Sequence, residues 1–162
     1  MNQDSMQHGI AWRGEDLTGW IASVKYDGCR GFWDGHTMWT RGGKAVANHW
    51  NLPEGMALDG ELYAGIDGSR KVASAIRSGN FAGIRFVAFD APSMPGDYLA
   101  RHCAIGYQDK VRIVELSSSD HALELMRAIQ SGGGEGLMAR HPGLDYKPGR
   151  TSKLLKVKYE IS

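Results

Sequence analysis

Glycine residues divide this chain into short segments, and this spacing limits the possible folds more than any other feature. The 162-residue sequence has 22 glycines, which separate short runs instead of forming a low-complexity tract. The runs combine β-branched, aromatic and alternating residues and end at Gly, Asp or Pro, as strands and hairpins commonly do. They are WIASVKY, RGFWDG, TMWTR, MALDGELY, IRFVAFDAP, GLMARH and KLLKVKY. The Asp34-Gly35 pair predicts a tight hairpin turn.

Helical periodicity occurs in fewer places. The segments are residues 70–78, 98–109 and 119–130. In the third, Ser119 or Asp120 can cap the N-terminus, and the SGGG run that follows ends the helix. Leu123, Met126 and Ile129 share one face of it. Many antiparallel strands with a few helices outside them predict an α+β domain.

The composition is that of one globular domain. The chain is 42% hydrophobic and 23% charged, with a formal net charge of +1, so we expect a single soluble domain over residues 1–162. A near-neutral charge neither requires nor excludes nucleic acid, because a locally basic face can coexist with acids elsewhere. Such a face could be formed by Arg30, Arg41, Lys44, Arg70, Lys71 and Arg77.

Cysteine usage and the N-terminus bear on the compartment. Cys29 and Cys103 lie far apart, which supports neither a disulfide framework nor a zinc site. The N-terminus has no basic segment followed by an apolar run, and no stretch approaches the ~18 apolar residues of a membrane span. We therefore expect a cytoplasmic protein with no membrane partner, although a processed or trimmed chain would look the same.

The segment SVKYDGCRG, residues 23–31, places charged side chains around an Asp-Gly pair in a strand-like run. Lys25 lies near the end of a predicted strand that begins at Trp20, so the following turn would expose its amine at the edge of a cleft. A lysine there can act as a nucleophile or hold a phosphate. Asp27 can orient the amine or a metal-bound water, and Arg30 suits bidentate contact with a phosphate. The alternative is solvated strand residues beside an Asx turn.

Further motifs follow K-x-D-G-x-R in order along the chain. They are TRGG, LDGELYAG, FVAFDAP, GGGEGLMARHPGLDYKPGR and KLLKVK. Together with YDGCRGFWDG they resemble, over residues 19–158, the collinear nucleotidyltransferase motifs of ATP-dependent DNA ligases, most of all the compact bacterial and phage enzymes of the ligase E group. The resemblance implies a nucleotidyltransferase (adenylation) domain with an ATP-grasp-like α+β fold, in which helices flank antiparallel β-sheets.

The resemblance also implies a three-step reaction that begins on Lys25. Its amine attacks the α-phosphate of ATP, displaces pyrophosphate and retains AMP; AMP then moves to a DNA 5′-phosphate, which a 3′-hydroxyl attacks to expel AMP. Because negative charge gathers at phosphorus, the first step needs a divalent metal, Mg²⁺ or Mn²⁺, and cationic side chains. Lys156 and Lys158 point to the same face of one strand and can both reach one phosphate group, whereas Val157 points into the core.

Three further residues are assigned to the nucleotide or metal by the same resemblance. Glu61 matches the acid at the ribose and metal, and Glu135, after a run of glycines, would hold magnesium or order its waters. Phe89 matches the aromatic residue that stacks on adenine, and it faces the opposite side of its strand from Phe86. The structural alternatives for Glu61, Glu135 and Phe89 are an edge-strand carboxylate, a flexible-loop residue and a core phenylalanine.

Arg30 and Arg41 match residues that grip the 5′-phosphate of the nick, and Arg30 is also assigned to the nucleotide phosphates. The implied partner is therefore nicked double-stranded DNA, which we expect a monomer to bind. Arg41 could otherwise be a solvated residue beside a Gly-Gly turn.

One part of the family pattern has no counterpart here. In the family an OB-type β-barrel domain of about 100 residues follows the KLLKVK strand and helps to orient the leaving pyrophosphate. Nothing after Lys158 corresponds to it, so we expect a trimmed catalytic domain, a naturally reduced enzyme, or a partner domain on a separate chain. ATP activation should then be slow, and sealing of a nick that already carries AMP should survive better than sealing from ATP.

Two alternatives for the function stay open. RNA ligases and mRNA-capping guanylyltransferases share the K-x-D-G chemistry, and although FDAP and GGEGLM favour a DNA ligase, the sugar of the substrate is not legible from them. The other alternative is a weakly active nucleotide- or nucleic-acid-binding module. The joint presence of five motif residues argues against that module: Lys25, Glu61, Glu135, Lys156 and Lys158.

Overall fold

The short runs between glycines form two five-stranded sheets in the computed structural model, which describes residues 5–159. The strands are β1 (Gln7–Ala11), β2 (Ile21–Lys25), β3 (Cys29–Trp33), β4 (Met38–Thr40), β5 (Ala45–Val46), β6 (Leu58–Tyr63), β7 (Arg85–Asp90), β8 (Val114–Glu115), β9 (Gly136–Arg140) and β10 (Gly149–Val157). The helices are α1 (Ser69–Ser78), α2 (Tyr98–Cys103) and α3 (Ser119–Ser131). The first sheet has the order β1-β10-β9-β2-β8, and the second has the order β5-β4-β3-β6-β7.

The predicted α+β class is confirmed. One strand pairing differs from the expected antiparallel arrangement. The pairings between these strands are antiparallel except that of β1 with β10, which is parallel. The sequence did not predict β1, β5 or β8. Because β5 and β8 have only two residues each, they depend on hydrogen bonds from their neighbours and carry almost no pattern of their own.

Two helices match their predictions and the third is shorter. α1 and α3 lie within a residue of the expected bounds, but the N-cap of α3 is Ser118, whose Oγ accepts a hydrogen bond from the His121 N–H at 3.0 Å. The helix expected over 98–109 ends at Cys103. Beyond it the chain runs along β7, where the Ala88 N–H donates to the carbonyl at 109 and the Ala88 carbonyl accepts from the N–H at 111, both at 2.9 Å.

The predicted β3–β4 hairpin is present, with a longer turn than expected. Trp33 pairs with Met38, so the loop has four residues, 34–37, instead of a two-residue turn. The Asp34 carboxylate accepts hydrogen bonds from the backbone N–H groups of His36 at 2.8 Å and Thr37 at 2.6 Å. These bonds satisfy the loop backbone in the manner of an Asx turn.

Each sheet packs one face against a helix. α1 covers the second sheet through Val72, which belongs to a cluster with the fully buried Trp33 and Phe86. α3 covers the first sheet through Ala122 and Met126. Within residues 5–159, no helix is both long and apolar enough to cross a membrane.

The chain crosses from the first sheet to the second between β2 and β3. Gly28 lies in this crossing, and a Cβ there would stand 1.9 Å from the Leu62 carbonyl oxygen of β6. The glycine of the K-x-D-G pattern is thus required for close approach of two backbones. The crossing brings Lys25 at the end of the first sheet beside Arg30 near the start of β3 in the second.

Candidate active site

Lys25 stands where the chain leaves the first sheet, as the sequence predicted. It is the last residue of β2 and pairs with Gly136 of β9. A Cβ at position 136 would lie 2.4 Å from the Val157 carbonyl oxygen and 2.9 Å from the Lys158 Cβ, so only glycine fits beside the lysine. Because residues alternate between the faces of a strand, Ser23 shares the face of Lys25.

Glu135 lies directly before β9 and joins two of the predicted lysines. Its Oε2 accepts a hydrogen bond from Lys25 Nζ at 2.9 Å, and its Oε1 accepts one from Lys158 Nζ at 3.0 Å. Burial alone would raise the pKa of Glu135, but the two lysines more than reverse this and hold the pKa below its usual range. Glu135 is therefore an ionised acceptor shared by two ammonium groups.

Lys156 adds a third ammonium group from β10. Val157 is fully buried, while Lys156 and Lys158 on either side of it are exposed, so the predicted alternation is confirmed. Lys158 lies one residue beyond the end of the strand. The pKa of Lys156 is lowered by burial first and then by four neighbouring cations, which are Lys25, Lys158, Arg41 and Arg150. Such a concentration of positive charge suits a phosphate group.

Asp27 is an exposed residue in the segment between β2 and β3 and lines the same cavity as Lys25. Among residues 5–159, no hydrogen bond joins it to the Lys25 amine, which is bonded to Glu135. Glu135, and not Asp27, makes the direct hydrogen bond with the Lys25 amine.

Arg30 of β3 is fixed by a buried carboxylate in the second sheet. Its Nε donates to Asp59 Oδ1 at 2.7 Å and its Nη2 donates to Asp59 Oδ2 at 2.6 Å. Nη2 also donates to the Gln7 carbonyl oxygen at 2.7 Å. The Asp59 side chain is 0% exposed and that of Arg30 is 16% exposed. Burial opposes the charge on Arg30, but Asp59 outweighs it and raises the pKa of Arg30.

Glu61 lies opposite Arg30 across the β3–β6 pairing. It stands on an interior strand of the second sheet, so the edge-strand alternative is excluded. Its Oε2 accepts a weak hydrogen bond from the Gly28 N–H at 3.3 Å. Burial raises the pKa of Glu61 to about 7, although the Gly28 N–H and the charges of Arg30 and Lys25 oppose the shift. This carboxyl group therefore changes its charge near neutral pH.

Phe86 and Phe89 face opposite sides of β7, as their parity predicted, with Phe89 toward the cavity and Phe86 in the core. Phe86 is fully buried, whereas Phe89 is only partly buried. The β6–β7 register shifts beside Phe89, because Asp59 pairs with Asp90 while Gly60 pairs with Ala88. This bulge leaves Phe89 between two paired residues, with its ring toward the cavity.

Two adjoining cavities contain the predicted residues. The first, of about 410 Å³, is lined from the first sheet by Lys25, Glu135 and Lys156, and from the second by Arg30, Glu61 and Phe89. The second, of about 620 Å³, shares Arg41 and Lys156 with the first and adds Arg13 and Arg150. None of the described residues that line it is acidic. Of the predicted site residues, Lys158 lines neither cavity and reaches the site through Glu135.

No family model matches the chain. The chain is 24% identical over 162 residues to a DNA ligase of Haemophilus influenzae, in a match that covers 91% of this chain and 60% of that ligase. The chain thus spans less than two thirds of the length of this relative.

Solved structures agree with the sequence match. A Lig E DNA ligase has a TM-score of 0.80 at 28% identity, with 96% of this chain and 69% of that chain covered. The Chlorella virus DNA ligase-adenylate has a TM-score of 0.75 at 25% identity, with coverage of 95% and 68%. The chain therefore has the fold of the nucleotidyltransferase domain of these DNA ligases. The ATP-dependent DNA ligase of bacteriophage T7, in complex with ATP, shares only the fold, with a TM-score of 0.72 at 15% identity over 96% of this chain and 69% of that one.

The described residues provide carboxylates for a metal but no site built from protein ligands alone. Among residues 5–159, no three His, Cys, Asp or Glu side chains gather around one point. Both Glu135 oxygens accept a lysine, and Glu61 is partly protonated at neutral pH. Mg²⁺ commonly binds through one or two carboxylates together with substrate phosphates and waters, and the donor set fits that mode.

Some basic residues that line the two cavities were not predicted as site residues from the sequence. Arg140 is 2% exposed, donates to Ser23 Oγ at 2.9 Å, and has its guanidinium carbon 5.3 Å from the centre of the Phe89 ring. Arg13 and Arg150 line the basic cavity. For Arg140 the sequence offered one signal, which is an arginine within an apolar strand. Burial of an arginine costs free energy unless it has partners, so such a residue indicates a polar site.

Proposed function

We propose that the chain is the catalytic core of an ATP-dependent DNA ligase that seals nicks through a lysyl-AMP intermediate. The observation that carries this proposal is the position of the Lys25 amine. It lies at the junction of two sheets, bonded to Glu135 at 2.9 Å, in a cavity of about 410 Å³ lined by cations and by the partly exposed ring of Phe89.

In the first step the Lys25 nitrogen, after losing a proton, forms a bond to the α-phosphorus of ATP, and the bond from that phosphorus to pyrophosphate breaks. Lys156, Lys158 and Arg30 would stabilise the charge that develops on the phosphate oxygens. The ammonium form of Lys25 that Glu135 binds is not nucleophilic, so the amine must leave this ion pair before it attacks.

In the second and third steps AMP passes to the 5′-phosphate of the nick, and the 3′-hydroxyl then expels AMP. We assign Arg30 and Arg41 to the 5′-phosphate. The basic cavity supports this assignment, because Arg13, Arg41 and Arg150 come from separate parts of the chain and line one depression. Phosphates of nicked double-stranded DNA are the ligands that such a charge distribution favours.

A divalent cation, Mg²⁺ or Mn²⁺, would be held by Glu61 and Glu135 with phosphate oxygens of the substrate, and it would neutralise charge on those oxygens. Phe89 would stack on adenine. A monomeric state, a separate OB-type partner domain and a cytoplasmic location stay predictions.

Intact mass spectrometry tests the covalent step. The protein should gain the mass of one AMP after incubation with ATP and magnesium, and Lys25→Ala should abolish the gain. Lys153→Ala is the matched control, because Lys153 is an exposed lysine on the same strand as Lys156 and lies outside both cavities. Absence of the adduct from the wild type, together with no sealing of pre-adenylated nicks, would refute the proposal and favour a binding module.

Variation of the nucleotide and of the nicked substrate in the same experiment distinguishes the other two enzyme classes. An adduct formed from GTP but not ATP would indicate a capping-type enzyme, and sealing of nicked RNA but not nicked DNA would indicate an RNA ligase. We expect faster sealing of a pre-adenylated nick than of a nick supplied with ATP, because the pre-adenylated nick bypasses the step in which the Lys25 amine must leave Glu135. Equal rates would contradict that expectation.

A further inference from the structure

Four residues form a closed ring of hydrogen bonds behind the candidate site. Asp59 Oδ2 accepts from Arg30 Nη2 at 2.6 Å and from the Tyr146 hydroxyl at 2.6 Å. The Tyr146 hydroxyl oxygen in turn accepts from the Gln7 N–H at 3.1 Å. The Gln7 carbonyl oxygen accepts from Arg30 Nη2 at 2.7 Å, which closes the ring.

The ring joins parts of the chain that are distant in sequence. Gln7 lies in β1 of the first sheet, whereas Arg30 and Asp59 lie in β3 and β6 of the second. Tyr146 lies in the segment between β9 and β10. The Gln7 side chain also donates to the Asp145 carbonyl oxygen at 2.8 Å, next to Tyr146. The ring is therefore a direct polar link between the two sheets that together line the candidate active site.

The ring determines which part of Arg30 remains for a ligand. A guanidinium group has five N–H donors, and three of them are used: Nε with Asp59, and Nη2 with Asp59 and Gln7. Among residues 5–159 no acceptor bonds Nη1. Because the other two nitrogens are fixed, the plane of the group is fixed, and the two Nη1 donors are the ones left for a phosphate in the cavity that Arg30 lines.

Tyr146 is the ring member with no other evident role. Burial, followed by the charge of Asp59, raises the pKa of Tyr146, so its hydroxyl remains a donor to Asp59. Without that hydroxyl, Asp59 Oδ2 would retain only Arg30 as a partner, and the Gln7 N–H would lose its acceptor. The Arg30–Asp59 pair could then rotate or shift relative to β1.

We infer that Tyr146 is a positioning residue that acts through Asp59 and Gln7 to hold Arg30 with its Nη1 donors toward a phosphate of the substrate. This inference rests on the proposed ligase function for the identity of the phosphate. The hydrogen-bonded ring itself does not depend on that function. Tyr146 is not expected to touch the substrate.

Kinetics on a pre-adenylated nicked duplex provide the first test. Tyr146→Phe should slow sealing at saturating DNA about tenfold, as expected when a hydrogen bond to a charged group is lost. In an Arg30→Lys background the same change should cost less than about twofold, because residues that act through one another are not additive. Equal factors in the two backgrounds would overturn the inference.

Tyr107→Phe is the matched control for general loss of a buried hydroxyl. The Tyr107 hydroxyl donates to the Phe86 carbonyl oxygen at 3.0 Å in the second sheet and does not take part in the ring. Tyr107→Phe should leave the sealing rate within about twofold of the wild type. If Tyr107→Phe and Tyr146→Phe slow sealing alike, Tyr146 is only structural and the inference fails.

Nitrogen-15 NMR of arginine side chains provides a test that needs no activity. In the wild type, the fixed Nη1 and Nη2 groups of Arg30 should give separate resonances, which are assigned by their loss in Arg30→Lys. In Tyr146→Phe the two resonances should merge, because rotation about the Nε–Cζ bond becomes faster. A single averaged Arg30 resonance in the wild type would refute the ring. If the ring is seen and no nick is sealed, the proposed function fails while the ring stands; if sealing occurs without the ring, only this inference fails.

Discussion

The two halves of the candidate site carry their charges in different ways. In the first sheet, Lys25, Glu135 and Lys158 form ion pairs whose side chains are 21%, 28% and 33% exposed. In the second sheet, Asp59 is 0% exposed and binds Arg30 through two parallel hydrogen bonds. Exposed ion pairs can exchange partners at little cost, whereas a buried pair is rigid, since breaking it leaves a charge without a partner.

This difference suggests a division of roles. A nucleophilic amine must exchange its proton and its partner during a reaction, and the first sheet keeps Lys25 where water and ligands can reach it. The second sheet holds the groups that must not move, with Arg30 bonded on two sides and Phe89 displaced by a bulge toward the cavity. Preorganised groups of this kind are effective because they need no rearrangement as charge develops.

The stability of paired variants gives the largest expected contrast. Asp59→Ala should lower the free energy of unfolding by about 3–5 kcal/mol, because it leaves the Arg30 charge buried without its partner. Glu135→Ala should lower it by no more than about 1 kcal/mol, because its ion pairs are partly exposed. Urea unfolding followed by circular dichroism measures both values. Similar losses for the two variants would remove the distinction between the two halves.

Removal of one exposed cation should affect chemistry more than stability. Lys156→Ala should slow formation of the lysyl-AMP adduct about 100-fold, as when one electrostatic stabiliser of a transition state is lost. Lys153→Ala, three residues earlier on β10, should leave the rate unchanged. Quenched-flow mass spectrometry gives the rates, and a Lys156→Ala rate close to that of Lys153→Ala would exclude Lys156 from the phosphate site.

The two phenylalanines of β7 test whether the second sheet has separate core and ligand faces. Phe89→Leu should weaken ATP binding by about 1–3 kcal/mol through lost stacking. Phe86→Leu should instead lower the free energy of unfolding, because Phe86 is fully buried. Calorimetric titration with ATP and urea unfolding of both variants will show whether the effects are divided in this way. A loss of ATP affinity only in Phe86→Leu would reverse the assignment.

The local features of the site could be predicted from the sequence. The strand, turn and strand around Lys25 follow from alternation and from an Asp-Gly pair, which act within a few residues. The same holds for α3 and for the opposite faces of Phe86 and Phe89. The sequence shows that Phe86 and Phe89 differ in environment, but only the resemblance to a known family indicated that Phe89 faces the ligand.

Features that depend on distant partners could not be predicted. Asp59 is a charged residue in a strand, and its partner Arg30 becomes evident only from the β3–β6 register. Tyr146 reaches Asp59 across 87 positions in the sequence. The parallel strand β1 could not be predicted for the same reason. Gln7–Ala11 has little pattern of its own and is held in place by its pairing with β10.

The pH dependence of stability at Glu61 is expected to give the smallest effect. Burial raises the pKa of Glu61 from 4.5 to about 7, so the folded protein binds this proton more tightly than the unfolded chain. The contribution of Glu61 to stability is therefore fully present below about pH 4.5 and is lost as the pH rises to about 7. Between pH 5 and pH 8 the wild type should lose about 1 kcal/mol or more relative to Glu61→Gln, whose amide oxygen can still accept from the Gly28 N–H.

Urea unfolding at several pH values measures this difference, with Glu124→Gln, an exposed acid on α3, as the control. Glu124→Gln should follow the wild type throughout. If the free energy of unfolding varies with pH in the same way for the wild type and Glu61→Gln, Glu61 is ionised in the folded protein without cost. The charged groups of the second sheet would then behave like the partly exposed groups of the first. A difference confined to Glu61→Gln would extend the contrast between the two halves from a buried ion pair to a single buried acid.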